Sequence, residues 1–395
     1  MLNRRAFVHR LGLGTAGAFT LWQTDLAARG AQLQRAGAVD PAAAAIRISS
    51  NENPYGPLPS AVAAARTAAA EGHRYPGPVA SKLSDAIAKR HEVPPSRVMV
   101  SGGSGDVLRS ALMTFTGPTR PLITGSPSYE APVRQAQRAG GPVIEVPLTS
   151  DLKLDLDAML AKANGAGIVY ICNPNNPTST VVPLARVTEL IAAVAKSSPD
   201  TQVLVDEAYF EYVDDPAFGT VIPLVEQYPN LIVARTFSKI YGMAGMRVGY
   251  AVAQEKTLAS MRENLSASGI SAMSFAAAAA SIADVAGIEN NRALNRAVRT
   301  FTVEAFQKAG YNVAASQANF VMVNVRRDSR GFLQACGQKG VAVGRPFPPL
   351  STWTRITIGT QQEMDRALSV VMDVLASPPT SLAFAPLPAA DYPGC

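Results

Sequence analysis

One lysine of the chain lies in an unusual setting of hydroxyl groups, glycines and an arginine. The stretch from Thr236 to Tyr250 reads TFSKIYGMAGMRVGY and places Lys239 directly after Ser238, with Arg247 further along. A lysine amine that forms an imine must be held on a rigid backbone and be partly desolvated, so that it can lose its proton. Ser238 and Arg247 could bind the other end of the imine-forming compound. The alternative is an ordinary solvated loop lysine.

Polar side chains also follow two apolar runs that read as strands. Asp206 ends the run VLVD, and a carboxylate there is costly to bury unless a cation such as a protonated pyridine nitrogen meets it. The alternative is an aspartate that caps the next turn. The loop from Cys172 to Thr178, CNPNNPT, could present an amide at fixed geometry, although an ordinary polar turn is also compatible with it.

A glycine-rich loop, SGGSGD at residues 101–106, lies between a predicted strand and a predicted helix. Backbone amides at such a helix N-terminus can bind a phosphate group. The loop lacks the glycine spacing of a dinucleotide-binding fingerprint and is followed by no lysine. It therefore indicates neither a Rossmann cofactor nor a nucleoside triphosphate.

Seven short apolar runs alternate with helical patterns between residues 98 and 253. This alternation predicts a mainly parallel, doubly wound α/β sheet, with ligands at the carboxyl ends of the strands. A helix is expected over Ser81 to His91 with Ser81 as its N-cap. After about residue 275 the composition shifts, and a smaller α+β lobe is predicted.

The charge of the chain is concentrated at its N-terminus. The 395 residues carry a net charge of +6, of which residues 1–38, with five Arg and one Asp, hold +4. The remainder is close to neutral, so a nucleic-acid partner is not predicted. The cysteines and histidines lack metal-ligand spacing, so neither a metal site nor a disulfide framework is expected. These residues are Cys172, Cys336, Cys395, His9, His73 and His91.

The N-terminus resembles a twin-arginine export signal. Arg4 and Arg5 precede an apolar run, Leu11 to Trp22, that is too short to span a bilayer, and small residues follow it. This order predicts export to the periplasm by a route that carries folded proteins, and no membrane span in the mature protein. A disordered basic arm on a cytoplasmic protein is the alternative.

Together these motifs resemble those of the fold-type I, pyridoxal-phosphate-dependent aminotransferases of class I/II, and most closely the histidinol-phosphate aminotransferase branch. The resemblance covers about residues 45–376. The motifs that carry it, in chain order, are SNENPYG, RYPGP, GGSGD, PSYE, CNPNNPT, DEAY, TFSKIYGMAGMRVGY and RITIGT.

This resemblance implies a large doubly wound, mainly parallel seven-stranded sheet domain and a smaller α+β domain. The expected divisions are a signal peptide and linker at residues 1–38, an arm with part of the small domain at 39–72, the large cofactor-binding domain at 73–280, the small domain at 281–376 and a Pro-rich tail at 377–395.

The resemblance also implies roles around pyridoxal 5'-phosphate. Lys239 would form the imine and move the proton at the substrate α-carbon, and Asp206 would keep the pyridine nitrogen protonated. Asn176 and Tyr209 would hydrogen-bond the ring oxygen. Tyr129 would stack on the ring. The residues expected to hold the phosphate are Ser104, Gly105, Thr236, Ser238, Arg247 and, from the partner of a homodimer, Tyr75.

The expected substrates are an L-amino acid and a 2-oxo acid. Arg355 would bind the substrate carboxylate, and Asn53, Tyr55, Asn176 and Arg345 are further candidate substrate-binding residues. The sequence departs from the branch in the segment SGISAMS at residues 268–274 and in the loop GRPFPP around Arg345. A decarboxylase or lyase that uses the same cofactor, and a non-catalytic exported binding protein, remain alternatives.

Overall fold

The computed structural model describes residues 45–265 and 269–378. The described residues from Arg47 onwards form one compact unit. The predicted export signal, Ser268 of the SGISAMS segment and all but the first two residues of the predicted Pro-rich tail lie outside the described residues.

Eleven strands occur in the described residues. They are β1 (Ile46–Arg47), β2 (Val98–Ser101), β3 (Leu122–Ser126), β4 (Val143–Pro147), β5 (Ile168–Cys172), β6 (Gln202–Asp206), β7 (Leu231–Thr236), β8 (Gly249–Ala253), β9 (Phe320–Asn324), β10 (Val341–Ala342) and β11 (Trp353–Thr357). Strands β2 to β8 form one seven-stranded sheet in the order β2-β8-β7-β6-β5-β3-β4. Strand β8 is antiparallel to β2 and β7, and the other pairs are parallel. The predicted mainly parallel α/β sheet is confirmed.

Eleven α-helices accompany these strands in the described residues. They are α1 (Pro59–Ala69), α2 (Gly77–His91), α3 (Ser104–Phe115), α4 (Ala131–Arg138), α5 (Leu156–Leu160), α6 (Leu184–Ser197), α7 (Glu255–Arg262), α8 (Ala272–Ala283), α9 (Val285–Lys308), α10 (Ser329–Gln338) and α11 (Gln361–Ala376). Four short 3-10 helices lie at Pro95–Arg97, Phe210–Tyr212, Ile222–Glu226 and Ala244–Met246.

The sheet is buried on both faces. Alternate residues of β5 and β6 point into two different apolar clusters, with Val169 and Val205 in one and Tyr170 and Leu204 in the other. Since side chains of a strand alternate between the faces, a strand covered on both sides must be apolar throughout. This requirement explains the uninterrupted runs that were recognised in the sequence, and it leaves polar groups only at the strand ends.

A separate antiparallel pair, β9 and β11, brings the C-terminal part of the chain to the segment before α1. Arg355 of β11 is opposite Met322 of β9. The amide of Thr357 donates to the carbonyl of Ile48 at 2.9 Å, and the amide of Ile48 donates to the carbonyl of Ala342 at 3.0 Å. These bonds place the residues that follow Ile48 beside the end of β11.

Three elements differ from the sequence-based expectations. Helix α2 begins at Gly77, because Pro78 is compatible with a first helical turn; the Ser81 hydroxyl donates to the Gly77 carbonyl, so the prediction that Ser81 is the N-cap was wrong. Helix α8 was not predicted, and it packs against α1 and α2. The sequence pattern predicts a helix over Ile288 to Ala309, whereas α9 begins three residues earlier, at Val285, because the Asp284 side chain caps it by accepting from the Gly287 amide.

The division into a large and a small lobe stays a prediction. Among the described residues, no single helix is long and apolar enough to cross a membrane, although α8 and α9, bent by 79°, meet that criterion as a pair. Over the same residues, no group of three or more His, Cys, Asp or Glu could hold a metal ion. Cys172 and Cys336 are buried free thiols, and Cys395 lies outside the described range.

Candidate functional site

The predicted site residues lie at the carboxyl edge of the sheet. Asp206 is the last residue of β6 and Thr236 the last of β7, and Lys239 follows three residues later. Asp206 is in register with Cys172 of β5 on one side and with Ala234 of β7 on the other. The parallel strands therefore bring together groups that are far apart in the chain, as expected for a ligand site in a doubly wound sheet.

Asp206 is 3% exposed and accepts two hydrogen bonds. The Tyr170 hydroxyl donates to Oδ2 at 3.0 Å, and the Ala208 amide donates to Oδ1 at 3.1 Å. Burial raises the pKa of Asp206 to about 6, although both hydrogen bonds and the nearby charge of Lys239 oppose this rise. A second cation close to this carboxylate would therefore be strongly favoured.

The Lys239 amine lies in the same region. Its Nζ donates to the backbone carbonyl of Asn51 at 3.2 Å and lies 5.5 Å from the centroid of the Tyr209 ring. Tyr209 is buried and packs edge-on against Phe320, with the centroids 5.0 Å apart. Burial raises the pKa of Tyr209, which keeps its hydroxyl protonated and able to donate a hydrogen bond. The structure thus brings the Lys239 amine and the Tyr209 phenol together; with Asp206, these are the residues that the resemblance predicts to be catalytic.

Asn51 connects these groups, and the sequence analysis did not identify it as a site residue. The side-chain Nδ2 of Asn51 donates to the Tyr209 hydroxyl at 3.1 Å, and its Oδ1 accepts from Thr357 Oγ1 at 3.1 Å. The backbone amide of Asn51 donates to the same Oγ1 at 2.9 Å. Its φ is 54°, a left-handed conformation that asparagine tolerates better than most residues. The asparagine in SNENPYG and the proximity of a turn were the available signals.

The predicted phosphate residues surround the N-terminus of α3. Gly103, with φ 103°, precedes that helix, and a Cβ there would lie 2.5 Å from Nη2 of Arg247. A Cβ on Gly249 would lie 2.3 Å from the backbone nitrogen of Ser104. Since both positions accept only glycine without displacement, the arginine and the helix N-terminus can approach closely. Gly105 lies in the first turn of α3. A guanidinium beside a helix N-terminus makes a positive site that suits a phosphate group.

Further contacts hold the arginine in place. Nη1 of Arg247 donates to the Ala244 carbonyl at 3.1 Å and to Ser238 Oγ at 3.4 Å. The Ser238 amide donates to Thr236 Oγ1 at 3.1 Å. The loop after β7 therefore carries two hydroxyls and one guanidinium at the same corner of the site.

Arg355 and Asn176 form a further group of contacts at the site. Nη1 of Arg355 donates to Asn176 Oδ1 at 2.7 Å, and Nη2 donates to the Ser49 carbonyl at 2.6 Å. The guanidinium carbon lies 5.0 Å from the Phe347 ring centroid and 5.7 Å from that of Phe320. Because Phe320 also contacts Tyr209, Arg355 is linked through packed rings to the rest of the site.

Other predicted residues lie at its margin. Asn53 Nδ2 donates to the carbonyl of Ile240, next to Lys239, at 2.8 Å, so this asparagine supports the lysine loop. Tyr55 is 37% exposed, and its pKa is raised by partial burial and by the charge of Glu363. Tyr129 is half-buried and packs at the edge of one core cluster.

Two predicted residues have surroundings that differ from those expected. Tyr75 is 98% exposed. Arg345 forms an ion pair with Glu130 and is directed to the start of α4. A role for Tyr75 in cofactor binding therefore requires a second chain, and a role for Arg345 in substrate binding requires that it leave Glu130.

A cavity of about 300 Å³ lies beside the lysine loop. Its lining includes Glu52, Asn53 and Thr357, but neither Lys239 nor Asp206. The cavity therefore lies beside the loop that carries Lys239, and neither Lys239 nor Asp206 lines it.

The donor set fits pyridoxal phosphate. A buried carboxylate that lacks sufficient cationic compensation suits a protonated ring nitrogen, an amine suits the aldehyde, and the glycine-lined corner with Arg247 suits the phosphate. These features lie at three different loops of the sheet edge, as a flat cofactor with two polar ends requires.

Comparisons with known proteins agree with this assignment. The family model "Aminotransferase class I and II" matches residues 44–371. A histidinol-phosphate aminotransferase of Symbiobacterium thermophilum is 37% identical over 333 residues, which cover 84% of this chain and 90% of the relative. An aromatic amino acid aminotransferase of Thermobifida fusca is 36% identical over 333 residues, covering 84% and 91% of the two chains.

A solved structure supports the same conclusion. The histidinol-phosphate aminotransferase of Sinorhizobium meliloti, in complex with pyridoxal-5'-phosphate, superposes with a TM-score of 0.77 at 28% identity and covers 84% of this chain and 91% of that one. The chain therefore belongs to the class I and II aminotransferases, and it is a pyridoxal-phosphate-dependent enzyme that transfers an amino group between an L-amino acid and a 2-oxo acid.

Proposed function

We propose that Lys239, Asp206 and Arg355 are the residues that carry out this transamination. The observation that supports the proposal best is the hydrogen-bond network of Asn51, which joins the Lys239 amine, the Tyr209 hydroxyl and Thr357. Thr357 lies two residues after Arg355, which we call the substrate clamp because it would bind the substrate carboxylate. No structural requirement of the sheet explains why a lysine, a buried carboxylate and a buried arginine should all lie near Tyr209.

Each residue has a distinct task. Pyridoxal phosphate, when bound, supplies an electron sink for the negative charge that develops at the substrate α-carbon. Lys239 takes the proton from that carbon and delivers it to the carbon on the other side of the amino nitrogen. An unprotonated amine is a suitable general base for this transfer. Asp206 keeps the ring nitrogen protonated, since this buried carboxylate is stabilised by an adjacent positive charge.

Arg355 holds the α-carboxylate of the substrate. Its guanidinium can make two parallel hydrogen bonds to a carboxylate, and Asn176 and the Ser49 carbonyl already orient it. Fixing the carboxylate places the α-carbon within reach of Lys239 and lowers the entropic cost of the transition state.

The amino donor that suits this clamp is an amino acid. One of the relatives is named for aromatic amino acids, which carry an α-carboxylate that Arg355 could bind. We therefore propose an amino acid as the donor.

The anchor is tested with Lys239→Ala. After addition of the cofactor and reduction with borohydride, the wild-type protein should retain the cofactor on the peptide that contains Lys239, and the variant should not. Lys153→Ala, which removes an exposed lysine paired with Asp151, is the matched control. A reduced adduct of undiminished yield in Lys239→Ala would overturn the assignment, and a purified wild type that converts no amino acid would overturn the proposed function.

A homodimer with shared sites is part of the proposal. It rests on the near-complete exposure of Tyr75 and on the motif in which Tyr75 occurs. Mixing inactive Tyr75→Ala and Lys239→Ala subunits should restore activity, because a hybrid dimer then contains one complete site. A mixture that stays inactive, although mass measurement shows hybrids, argues against shared sites.

Export by the twin-arginine route is a separate proposal. Its support is the order of Arg4, Arg5, an apolar run and small residues. Replacing both arginines with lysine should retain the protein in the cytoplasm, as measured by cell fractionation. Unchanged fractionation would contradict it.

A further inference from the structure

Arg345 is engaged on several sides away from the substrate clamp. Its Nη2 pairs with Oε1 of Glu130, and its Nη1 donates to the carbonyl of Pro346 at 2.9 Å. Its guanidinium carbon lies 4.2 Å from the centroid of the Phe347 ring. The other carboxylate oxygen of Glu130 accepts from Arg134 Nη1 at 2.7 Å. Glu130 thus ties the Arg345 loop to the start of α4.

Phe347 contacts both Arg345 and Arg355 of the substrate clamp. The ring is 4% exposed and contacts the guanidinium of Arg355 at 5.0 Å as well as that of Arg345. Since both guanidinium groups lie against one ring, Arg345 is a cation close to the residue that would bind the substrate carboxylate. The charge of Arg345 is compensated by its ion pair with Glu130.

We infer that Glu130 is a specificity-determining residue: it holds Arg345 in an ion pair, so that the site favours amino acids with neutral, apolar or aromatic side chains over those with acidic ones. This inference rests on the proposed function, because it places the α-carboxylate on Arg355. A neutral substrate side chain would pack towards Phe347, and the ion pair between Glu130 and Arg345 would stay intact.

An acidic side chain encounters a specific cost at this site. To bind Arg345 it must displace the Glu130 carboxylate, which is then left with Arg134, and it must disturb the contact between the guanidinium and Phe347. Glu130 and Arg345 are 40% and 43% exposed, so solvent screens the pair and the discrimination is moderate. The loss of a partly exposed ion pair and of a cation–π contact corresponds to an affinity that is about tenfold lower for a ligand with an acidic side chain than for one with a neutral side chain.

The test uses holoenzyme of the full chain and two carboxylic acids that bind without turnover. Calorimetric titration with 3-phenylpropanoate and with glutarate gives the affinity ratio for a neutral and an acidic side chain. The rates with phenylalanine and glutamate, followed by the visible absorbance of the cofactor, give the same ratio for the reaction. The variants are Glu130→Gln, the double variant Glu130→Gln with Arg345→Gln, and Glu189→Gln as control, since Glu189 is an exposed glutamate paired with Arg186 on α6.

The wild type should prefer 3-phenylpropanoate and phenylalanine. Glu130→Gln should shift both ratios towards the acidic ligand by about tenfold, the double variant should lose this shift, and Glu189→Gln should match the wild type. Wild type that binds glutarate as tightly as 3-phenylpropanoate, a shift below twofold in Glu130→Gln, or a shift that persists without Arg345 would each overturn the inference. Failure of every amino acid to react would instead refute the proposed function.

Discussion

Replacing Asp206 with Asn should stabilise the cofactor-free protein at neutral pH while it disables the enzyme. Asparagine keeps the shape of the side chain and an oxygen that can accept a hydrogen bond from the Ala208 amide, but it carries no charge. In the wild type, burial raises the pKa of Asp206 from the usual 3.8 to about 6. A difference of this size corresponds to about 3 kcal/mol.

The pH range follows from the direction of the shift. Because the folded pKa lies above the unfolded one, the native state binds the proton more tightly, and the contribution of Asp206 to the free energy of unfolding is fully present below the unfolded value. It is lost as pH rises through about 6. The variant has no such titration, so its advantage over the wild type should grow from near zero at about pH 3.5 to about 3 kcal/mol at about pH 7.5.

Urea unfolding of the cofactor-free proteins at several pH values measures this difference. The loaded variant should lose at least about 10²-fold in the rate of the half-reaction with an amino acid, since the ring nitrogen is no longer kept protonated. A variant that is less stable than the wild type at pH 7.5, or an advantage that does not change with pH, would refute the argument from burial.

Three further predictions concern the surroundings of the same site. Tyr170→Phe removes a donor that lowers the pKa of Asp206, so the pH profile of cofactor binding should move to higher pH, with a loss of about 1–2 kcal/mol in unfolding free energy; an unchanged profile contradicts this. Gly249→Ala should weaken cofactor affinity at least about tenfold in equilibrium dialysis, because its Cβ would displace the loop at Ser104; unaltered affinity shows that the loop does not bind the phosphate. Asn51→Ala should be about 1 kcal/mol less stable than Asn51→Gly in urea, since φ is 54° and only glycine adopts it without strain; equal stability of the two variants contradicts the strain argument.

Much of the site was predictable because its chemistry is local in the chain. Lys239 and Arg247 belong to one loop, Asp206 ends one apolar run, and SGGSGD precedes one helix. Residue type and strand position made them candidates, and the resemblance to a family supplied their predicted roles. Helix α8 was missed because its alanine-rich sequence carries little amphipathic signal, and its position depends on packing against α1 and α2.

The sequence by itself determined the type of sheet, since apolar runs of strand length with polar residues at their ends are typical of a doubly wound fold, and it also predicted which residues react. Only the tertiary structure decided how those groups are supported and restrained. Asn51 meets Thr357 across 306 positions of the chain, and Arg345 meets Glu130 and Phe347 rather than the clamp. Contacts of this kind depend on which loops the folded sheet brings together, and no local pattern of residues encodes them.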